Sequence, residues 1–322
     1  MSRGSVLFID TVHPKLQEEL QLHGFTCVDG YSASKEQLMQ DWNNHIGVVI
    51  RSRFKIDHEF LQAAKGLKFI ARAGAGMENI DTDAAEKFGV VCLNAPEGNR
   101  NAVAEQALGM LLSMCNQLLR SDRQVRDGLW MREENRGTEI DGKTIGIIGF
   151  GNTGQAFARK LQGFDVKVLV YDPYVVVDNV KHPLIKQTDM IELFDSCDVV
   201  SLHVPLTEET RMMADATFFQ SFKKPIRFIN TSRGKVVNTA ALVQAMETGH
   251  VIQCALDVIE YESVSFENLD GKQLPEPMQY LLNSERALLT PHIAGWTHES
   301  HLKISEVLAD KIIRLFALQL LC

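Results

Sequence analysis

The feature that most constrains the fold of this chain is a regular alternation of short apolar runs with helical patterns from end to end. The first series of apolar runs is SVLFID, FTCVDG, IGVVIRS, LKFIARAG and VVCLNAP. The second series is KTIGIIGFG, VKVLVYD, DVVSLHV, IRFINTS, CALDV and ALLTP. Apolar runs separated by helices are typical of strands in parallel sheets that are covered on both faces. Two such series predict two α/β layers.

A long helical pattern separates the two series and helps to place the domain boundaries. Residues 101–128 carry apolar side chains at three- and four-residue spacing, and we interpret them as one helix that bridges two domains. Residues 297–322 are also helical in pattern, and a chain of 322 residues is expected to form two domains. The prediction is a discontinuous first domain, residues 1–98 with 298–322, into which a second domain, residues 99–297, is inserted.

Composition and charge exclude several classes of partner. The chain has 33 basic and 41 acidic residues, a formal net charge of −8 with no basic block, which argues against nucleic acid. No apolar run reaches the roughly 20 residues that span a bilayer, and the N-terminus reads as a first strand rather than a signal peptide. Six scattered cysteines without a CxxC pair suit reduced thiols in a cytoplasmic protein.

The segment TIGIIGFGNTG contains Gly149-x-Gly151-x-x-Gly154 between a predicted strand and a predicted helix. In that context the first glycine permits a tight turn, the second lets backbone approach a pyrophosphate, and the third lets helix and strand pack closely. Asp172 ends the next predicted strand and can accept hydrogen bonds from both hydroxyls of an adenosine ribose. Because its charge repels a 2′-phosphate, the pattern predicts NAD rather than NADP. The alternative is a structural glycine turn beside a solvated aspartate.

Polar residues follow three further predicted strands, namely Arg233 in NTSRG, Glu262 in ALDVIEYE and His292 in TPHIAGWT. In a doubly wound sheet the carboxyl ends of the strands form the ligand crevice. The three residues fit hydride transfer to or from a 2-oxo or 2-hydroxy acid. The arginine would grip the substrate carboxylate or carbonyl, the histidine would exchange the proton, and the glutamate would orient the imidazole. Singly, they could equally be a turn residue, a surface charge and a core histidine.

Over nearly its whole length, the chain resembles the D-isomer-specific 2-hydroxyacid dehydrogenase family, most closely its D-3-phosphoglycerate dehydrogenases. The segments that carry the resemblance are RSRFKID (51–57), ARAGAGMENID (71–81), NAPEGNRNAVAEQALGMLL (94–112), GKTIGIIGFGNTG, LHVPLTEET (202–210), NTSRGKVV (230–237), ALDVIEYE and TPHIAGWT. The resemblance implies two doubly wound parallel-sheet domains, a Rossmann NAD-binding domain inserted into a flavodoxin-like substrate-binding domain. It also implies a short form without the regulatory domain of longer relatives.

The resemblance assigns roles to individual residues as well. It implies that the catalytic set is Arg233, Glu262 and His292. The residues that it places around NAD are Asn152 and Thr153 at the pyrophosphate, Asp257 at the nicotinamide carboxamide, and His203, Pro205, Thr210 and Ser232 in the surroundings. The small Gly295, after the histidine, would leave room for the nicotinamide ring. A homodimer to which residues 101–136 contribute is implied too.

A second glycine loop, RAGAGMEN at residues 72–79, follows a predicted strand of the first domain. Backbone N–H groups at Ala75 and Gly76 could hold a substrate carboxylate, with a simple tight turn as the alternative. Arg51 and Arg53 should face opposite sides of a strand end, and the resemblance favours Arg53 for the substrate cleft. His298 and His301 are spaced i, i+3 without a third ligand, so we interpret them as helix-surface residues and expect no metal.

The main functional hypothesis is NAD-dependent oxidation of 3-phosphoglycerate to 3-phosphohydroxypyruvate, in serine biosynthesis. The alternative is a reductase of glyoxylate, hydroxypyruvate or another 2-oxo acid. A hypothesis of a different class is an NAD(H)-sensing, corepressor-like binding protein. The complete set of Arg233, Glu262 and His292 counts against a loss of activity. Residues 263–283 are longer than the corresponding family segment, and no role is predicted for them.

Overall fold

A computed structural model describes residues 3–178, 184–262 and 274–318, so the first part of the predicted insertion lies outside the described residues. The chain divides into two compact units. Unit 1 contains the described residues up to Arg100 and from Trp296 onward, and unit 2 contains those from Asn101 to Gly295. The boundaries predicted from the sequence are residues 98 and 298, and the roles of the two domains stay predictions.

Unit 1 is built on a five-stranded parallel sheet. Its strands are β1 (Gly4–Phe8), β2 (Phe25–Asp29), β3 (Gly47–Ile50), β4 (Phe69–Arg72) and β5 (Val91–Leu93). Its helices are α1 (Lys15–Leu22), α2 (Lys35–Asp41), α3 (His58–Ala63), α4 (Thr82–Lys87), the start of α5 (Pro96–Cys115) and α12 (His298–Leu318). The strand order β2-β1-β3-β4-β5 is the flavodoxin-like order, which confirms that prediction.

Alternate side chains of the unit 1 strands pack into cores on the two faces of the sheet. Val6 and Phe8 of β1 pack with residues of α1 and α12, including Leu308. Leu7 lies on the other face, in a cluster that contains Phe60 of α3. Since side chains alternate along a strand, an unbroken apolar run supplies both cores, as a doubly wound sheet requires.

Unit 2 is built on a seven-stranded parallel sheet. Its strands are β6 (Thr144–Ile148), β7 (Lys167–Tyr171), β8 (Ile185–Gln187), β9 (Val199–Leu202), β10 (Ile226–Asn230), β11 (Val251–Leu256) and β12 (Ala287–Leu289). Besides the rest of α5, its helices are α6 (Leu118–Arg126), α7 (Asn152–Leu161), α8 (Met190–Ser196), α9 (Ala216–Gln220), α10 (Thr239–Glu247) and α11 (Glu276–Asn283). The order β12-β11-β10-β9-β6-β7-β8 confirms a Rossmann sheet, extended by one strand beyond β11.

Two cores cover the faces of the unit 2 sheet. Ile147 of β6 packs with Leu111 of α5 and Phe157 of α7. Leu202 of β9 lies in the cluster on the other face, with Leu242 of α10. Helices on both faces leave the carboxyl edge of the sheet as the place where the loops between strands and helices gather.

The prediction of one helix over residues 101–128 is wrong. Helix α5 ends at Cys115, and α6 begins at Leu118. Gln117, between them, has a left-handed backbone with φ of 55°, which interrupts a right-handed helix. The Gln117 side chain accepts a hydrogen bond from Nε2 of Gln253, at 3.1 Å, and Asn116 donates to the carbonyl of Leu112. These contacts stabilise the break between α5 and α6, which the spacing of the apolar residues does not reveal.

Strand β8 was also missed, because three residues at a sheet edge carry no periodic signal. Within the described ranges, no helix is both long and apolar enough to cross a membrane. The same ranges hold no group of three or more His, Cys, Asp or Glu side chains that could bind a metal ion. The described cysteines are free thiols.

Candidate active site

The glycine loop joins β6 to α7 and shows why glycine is needed at two of its three motif positions. Gly149 has φ of +93°, and an added Cβ there would lie 2.7 Å from the backbone of His203. A Cβ on Gly154 would lie 2.1 Å from the Gly149 carbonyl oxygen, which is closer than atoms can approach. A Cβ on Gly151 would meet nothing within 4 Å. The protein itself therefore requires the first and third glycines, whereas the second keeps open space beside the helix N-terminus.

This difference predicts different outcomes for two alanine substitutions. We expect Gly154→Ala to lower the free energy of unfolding by about 1–3 kcal/mol, because the new methyl group overpacks against backbone. Gly151→Ala should leave the melting temperature unchanged but weaken NADH binding, measured by fluorescence titration, by about tenfold or more. Gly163→Ala, at an exposed position with no neighbour within 4 Å, is the control and should change neither quantity. Unchanged NADH binding in Gly151→Ala would contradict a ligand at this loop.

Asp172 follows β7 and ties the end of that strand to the glycine loop. Its Oδ2 accepts a hydrogen bond from the backbone N–H of Phe150, at 2.7 Å. Its Oδ1 accepts from the N–H groups of Tyr174, at 2.8 Å, and Val175, at 3.0 Å. These bonds hold the carboxylate at the carboxyl edge of the sheet, where the sequence predicted a ribose-binding acid. Asn152 and Thr153 are the first residues of α7, whose N-terminus has no side-chain cap.

A cavity of about 880 Å³ opens beside the glycine loop and Asp172. Apolar side chains, including Met190, Phe194 and Phe218, line part of it. Among the described residues, its lining has four carboxylates and neither lysine nor arginine, the acids being Asp172, Glu208, Glu209 and Asp215. A cavity with these carboxylates suits an adenosine whose ribose carries no phosphate, because their negative charge would repel a 2′-phosphate.

His203 and the loop after it line the same cavity. The His203 ring is buried and hydrogen-bonded through Nε2 to Ser201 Oγ, at 2.9 Å. Burial lowers the pKa of His203 to about 3, so this imidazole is neutral at physiological pH. Thr210 Oγ1 donates to the carbonyl of Pro205, at 2.6 Å, and thereby closes the loop that follows. All three are residues that the resemblance assigns to the cofactor surroundings.

Arg233 lies in a turn directly after β10, and Asn230 organises that turn. Asn230 Oδ1 accepts from the backbone N–H of Ser232, at 3.0 Å, and from its hydroxyl, at 2.7 Å. Asn230 Nδ2 donates to the carbonyl of Arg233, at 3.0 Å. The half-buried guanidinium donates through Nη1 to the carbonyl of Ser232, at 2.7 Å. The buried side-chain amide of Asn230 therefore stabilises the turn that contains Arg233.

Asp257, after β11, holds the turn that contains the candidate histidine. The carboxylate is buried, with 1% exposure, and Oδ1 accepts from Thr290 Oγ1, at 2.6 Å, and from the Ile293 N–H, at 2.9 Å. Oδ2 accepts from the Ala294 N–H, at 2.9 Å. The backbone N–H of His292 donates to the Asp257 carbonyl, at 2.8 Å. These bonds stabilise a left-handed backbone at His292, where φ is 55°.

The side chains of His292 and Glu262 meet in this turn. His292 Nδ1 lies 2.8 Å from Glu262 Oε2, and the side chains are only 24% and 12% exposed. The other oxygen of Glu262 accepts a short hydrogen bond from the backbone N–H of Ile259. A histidine whose Nδ1 is bonded to a carboxylate has its ring orientation and tautomer set by that bond.

Close backbone packing joins the Arg233 turn to this pair. A Cβ on Gly234 would lie 1.9 Å from the carbonyl oxygen of Ile259, so the two loops touch through their main chains. Ile259 in turn donates to Glu262, which bonds His292. Strands β10, β11 and β12 are neighbours in the sheet, and the structure therefore brings the three predicted catalytic residues to adjoining strand ends. Gly295, which is half-buried, is the last residue of unit 2 in the segment that contains His292.

The glycine loop of unit 1 follows β4, as the sequence predicted. Asn94 Nδ2 donates to the carbonyl of Ala75, at 2.6 Å, and the Ala95 N–H donates to the carbonyl of Gly74, at 2.8 Å. Through these two carbonyls, the glycine loop is hydrogen-bonded to the segment after β5. Ala75 and Gly76 stay candidates for holding a carboxylate through their N–H groups.

Arg53, which the resemblance favours for the substrate cleft, donates to three backbone carbonyls of unit 1. Its Nη1 donates to the carbonyls of Ile9, at 3.0 Å, and Gly30, at 3.1 Å, and its Nη2 donates to the carbonyl of Ala33, at 2.7 Å. The guanidinium is therefore engaged in joining loops of unit 1. The assignment of Arg53 to the substrate cleft, in preference to Arg51, stays a prediction.

Two features of the site were missed at the level of sequence. Asn230, in FINTSRG, is a buried Asn two residues before a serine, a spacing that can indicate an Asx turn. Tyr174, in YDPY, lines the cavity and donates a short hydrogen bond to Glu209, which raises the pKa of the tyrosine. No sequence signal pairs Tyr174 with Glu209, because the two residues come from loops after different strands.

Comparisons with known proteins agree with this geometry. The model of the D-isomer specific 2-hydroxyacid dehydrogenase NAD-binding domain matches residues 108–294. The D-3-phosphoglycerate dehydrogenase of Archaeoglobus fulgidus is 34% identical over 310 residues, which are 96% of this chain and 57% of that protein. The hydroxypyruvate reductase of Thermotoga maritima is 33% identical over 280 residues, 87% of this chain and 88% of that protein. The chain thus spans little more than half the length of the curated D-3-phosphoglycerate dehydrogenases.

Solved structures give the same result. D-lactate dehydrogenase from Aquifex aeolicus, complexed with NAD and lactic acid, matches with a TM-score of 0.82 and 28% identity, over 97% of this chain and 95% of that one. A glyoxylate reductase from Paecilomyes thermophila matches with a TM-score of 0.84 and 26% identity, over 97% and 95%. On the family model, the relatives and the shared fold, this chain belongs to the D-isomer specific 2-hydroxyacid dehydrogenase family and contains its NAD-binding domain.

Proposed function

We propose that this chain is an NAD-dependent oxidoreductase of D-2-hydroxy acids that oxidises 3-phosphoglycerate to 3-phosphohydroxypyruvate. The observation that carries the proposal is the hydrogen bond of 2.8 Å between His292 Nδ1 and Glu262 Oε2. It lies at adjoining strand ends with Arg233, in the unit that also carries the glycine loop. A paired acid–base histidine and an arginine are what the interconversion of a hydroxyl and a carbonyl beside a carboxylate needs.

The residues present fit a bound NAD. The space at Gly151 and the uncapped start of α7, at Asn152 and Thr153, would take the pyrophosphate. Asp172 would accept from the adenosine ribose, and Oδ2 of Asp257, which accepts a hydrogen bond from the Ala294 N–H, would also accept from the carboxamide. When bound, the nicotinamide supplies or accepts the hydride. The remaining cofactor surroundings would be His203, Pro205, Thr210, Ser232 and Gly295.

Proton exchange belongs to His292. Because Nδ1 is bonded to Glu262, we assign the proton exchange to Nε2. In reduction, Nε2–H donates its proton to the carbonyl oxygen as negative charge develops there. In oxidation, Nε2 takes the hydroxyl proton, and the Glu262 carboxylate stabilises the imidazolium that forms.

Arg233 binds and polarises the substrate. A guanidinium can hold a carboxylate through two parallel hydrogen bonds, which positions the neighbouring carbon for hydride transfer. The same positive charge stabilises the oxyanion that develops at the carbonyl. Asn230 acts through the turn that it holds, by its hydrogen bonds to Ser232 and Arg233.

A substrate panel tests the proposed function and its alternative. Purified protein should reduce phosphohydroxypyruvate with NADH, and we expect its kcat/KM to exceed those for glyoxylate, hydroxypyruvate and pyruvate by about tenfold or more. NADPH should be a poorer cofactor than NADH, because four carboxylates in the described lining of the cavity would repel its 2′-phosphate. Higher kcat/KM with glyoxylate or hydroxypyruvate would favour a 2-oxo acid reductase, which the match to the Thermotoga maritima protein supports. NADH binding without any turnover would favour an NAD(H)-sensing binding protein.

A place in serine biosynthesis, a cytoplasmic location and a homodimer are part of the same proposal. The place in serine biosynthesis follows from the proposed substrate. The free thiols of the described cysteines support the cytoplasmic location. Exposed apolar side chains around α6 support a second copy of the chain as partner; they are Leu118, Leu119, Val125, Leu129 and Trp130.

A further inference from the structure

Residues 259–262 form a turn that carries the glutamate of the acid–base pair. The backbone N–H of Glu262 donates to the carbonyl of Ile259, at 3.2 Å, and the Ile259 N–H donates to Oε1 of the Glu262 side chain. The Glu262 carboxylate is therefore fixed relative to the backbone of its own turn. Its position relative to Arg233 depends on how that turn is attached to the rest of unit 2.

The beginning of the turn packs on the segment that follows Arg233. A Cβ on Gly234 would lie only 2.7 Å from the backbone nitrogen of Glu260, and closer still to the carbonyl of Ile259, so main chain meets main chain here. The Ile259 side chain packs against a core cluster that contains Val236, from the same segment as Gly234. Both contacts act at the first residues of the turn.

The side chain of Glu260, the second residue of the turn, makes a contact of a different kind. Its Oε2 accepts a hydrogen bond from the backbone N–H of Thr239, at 2.9 Å. Thr239 is the first residue of α10, the helix that follows Arg233 in the chain. Thr239 is 3% exposed and Glu260 is half-buried, so much of the solvent is kept away from this bond.

The start of α10 has a physical need for this contact. The first N–H groups of a helix have no partner within the helix, and a negative charge near them is favoured by the helix dipole. Asn238 Oδ1 accepts from the Ala241 N–H, at 3.0 Å, and Glu260 accepts from the Thr239 N–H. Two acceptors thus satisfy the start of α10, and Glu260 is the one that comes from the turn of Glu262.

We propose that Glu260 is a positioning residue for the proposed reaction. Its bond to the Thr239 N–H fixes the turn of Glu262 to the helix that follows Arg233, and so sets the Glu262–His292 pair relative to the guanidinium. Displacing reacting groups by about 1 Å can lower a rate by about 10²-fold. The inference rests on the proposed function, because the position of the pair affects turnover only if His292 exchanges the proton.

Glu260→Ala removes the acceptor, and we expect kcat with NADH and the best substrate of the panel to fall by about tenfold or more. KM for NADH should stay near the parent value, because the groups assigned to the adenosine and pyrophosphate lie elsewhere in the unit. Glu260→Gln keeps an oxygen that can accept from the same N–H and should recover most of the lost kcat. Rates are expressed per NADH-binding site, measured by fluorescence, so unfolded protein does not contribute. A parent-like kcat in Glu260→Ala would overturn the proposal.

Thr239→Pro tests the same bond from the donor. Proline fits the first position of a helix, where it removes an N–H that has no partner within the helix. Asn238 has φ of −81° and ψ of 107°, which a residue before proline can adopt. Thr239→Ala keeps the N–H and controls for the lost side chain, so kcat should be lower with proline than with alanine. In the Glu260→Ala background the two should be equal, because the bond is already absent, and a further loss with proline would overturn the proposal.

Asp189 is the matched control for an acidic side chain that accepts at the start of a helix. Its Oδ1 accepts from the backbone N–H of Glu192, at 2.9 Å, in the first turn of α8. Asp189→Ala should lower the melting temperature, as loss of a helix cap does, but should leave kcat per NADH-binding site unchanged. An equal fall of kcat in Asp189→Ala and Glu260→Ala would indicate general destabilisation and would overturn the proposal.

A spectroscopic measurement distinguishes this inference from the proposed function, because it needs no substrate. The ring proton on His292 Nδ1, bonded to Glu262, should exchange slowly with water and give its own proton NMR signal, which His292→Asn identifies by its loss. We expect the signal in the parent protein and in Glu260→Gln, and its broadening or loss in Glu260→Ala. A parent protein that shows the signal but reduces no 2-oxo acid would contradict the proposed function. An unchanged signal in Glu260→Ala, or none in the parent protein, would overturn the role of Glu260.

Discussion

Replacing His292 with asparagine should lower kcat for 2-oxo acid reduction by about 10²- to 10⁴-fold, the usual contribution of a positioned acid–base group. Asparagine tolerates the left-handed backbone at this position, where φ is 55°, better than most residues do. Its short amide can still approach Glu262, but it has nothing that replaces the proton-exchanging Nε2. Steady-state rates with NADH and phosphohydroxypyruvate measure the effect. Melting temperature and NADH affinity should stay close to those of the parent protein.

Two companion variants make this test specific. Glu262→Gln keeps a polar partner for Nδ1 but removes the negative charge, so we expect a smaller loss of kcat than in His292→Asn. His250→Gln is the control, because His250 directly precedes β11 and its ring Nδ1 lies 3.1 Å from the Thr248 hydroxyl. A His292→Asn enzyme that keeps a kcat within about threefold of the parent would eliminate the proposed proton transfer.

Arg233→Gln should lower kcat/KM for 2-oxo acids by about 10²- to 10³-fold, the range found when one donor to a developing oxyanion is removed. Arg233→Lys should recover only part of this loss, since an ammonium group keeps the charge but cannot hold a carboxylate through a planar fork. NADH affinity should change little, because the groups assigned to the adenosine and pyrophosphate lie elsewhere in the unit. Steady-state kinetics and NADH fluorescence measure the two quantities.

Another arginine of the same strand is the matched control for Arg233. Arg227 lies near the start of β10 and donates through Nε to Oε1 of Gln253, at 2.9 Å. Arg227→Gln therefore changes the same residue type at the opposite end of the strand, and its kcat/KM should stay near the parent value. Equal losses in both variants would indicate damage to β10 rather than loss of a substrate contact.

Most strands of both sheets were predictable because each is a short apolar run buried on two faces. Leu7 and Phe8 show the reason: consecutive side chains enter different cores, so both positions must be apolar. The exceptions are β8, which is too short to carry the pattern, and the break at Gln117. There, a long-range contact with Gln253 accompanies a left-handed residue inside an apolar helical pattern.

The candidate site was predictable to the level of strand ends but not of individual contacts. Arg233, Glu262 and His292 were found because polar residues follow apolar runs, and the three strands proved to be neighbours. The bonds of Asp257 to the turn at residues 290–294 had no local signal, since its donors lie more than thirty positions away. The same limit applies to Arg53, which is engaged by carbonyls of distant loops.

The sequence by itself determined the two parallel sheets, the glycine loop and the set of polar residues at strand ends. Periodicity, turn chemistry and residue type are local properties of a chain, so they can be read without coordinates. Only the tertiary structure decided that Glu262 bonds His292, that Arg51 stacks on Trp296, and that His13 meets His301. These pairs join segments far apart in the chain, and it is the order of the strands in the sheets that brings them within reach.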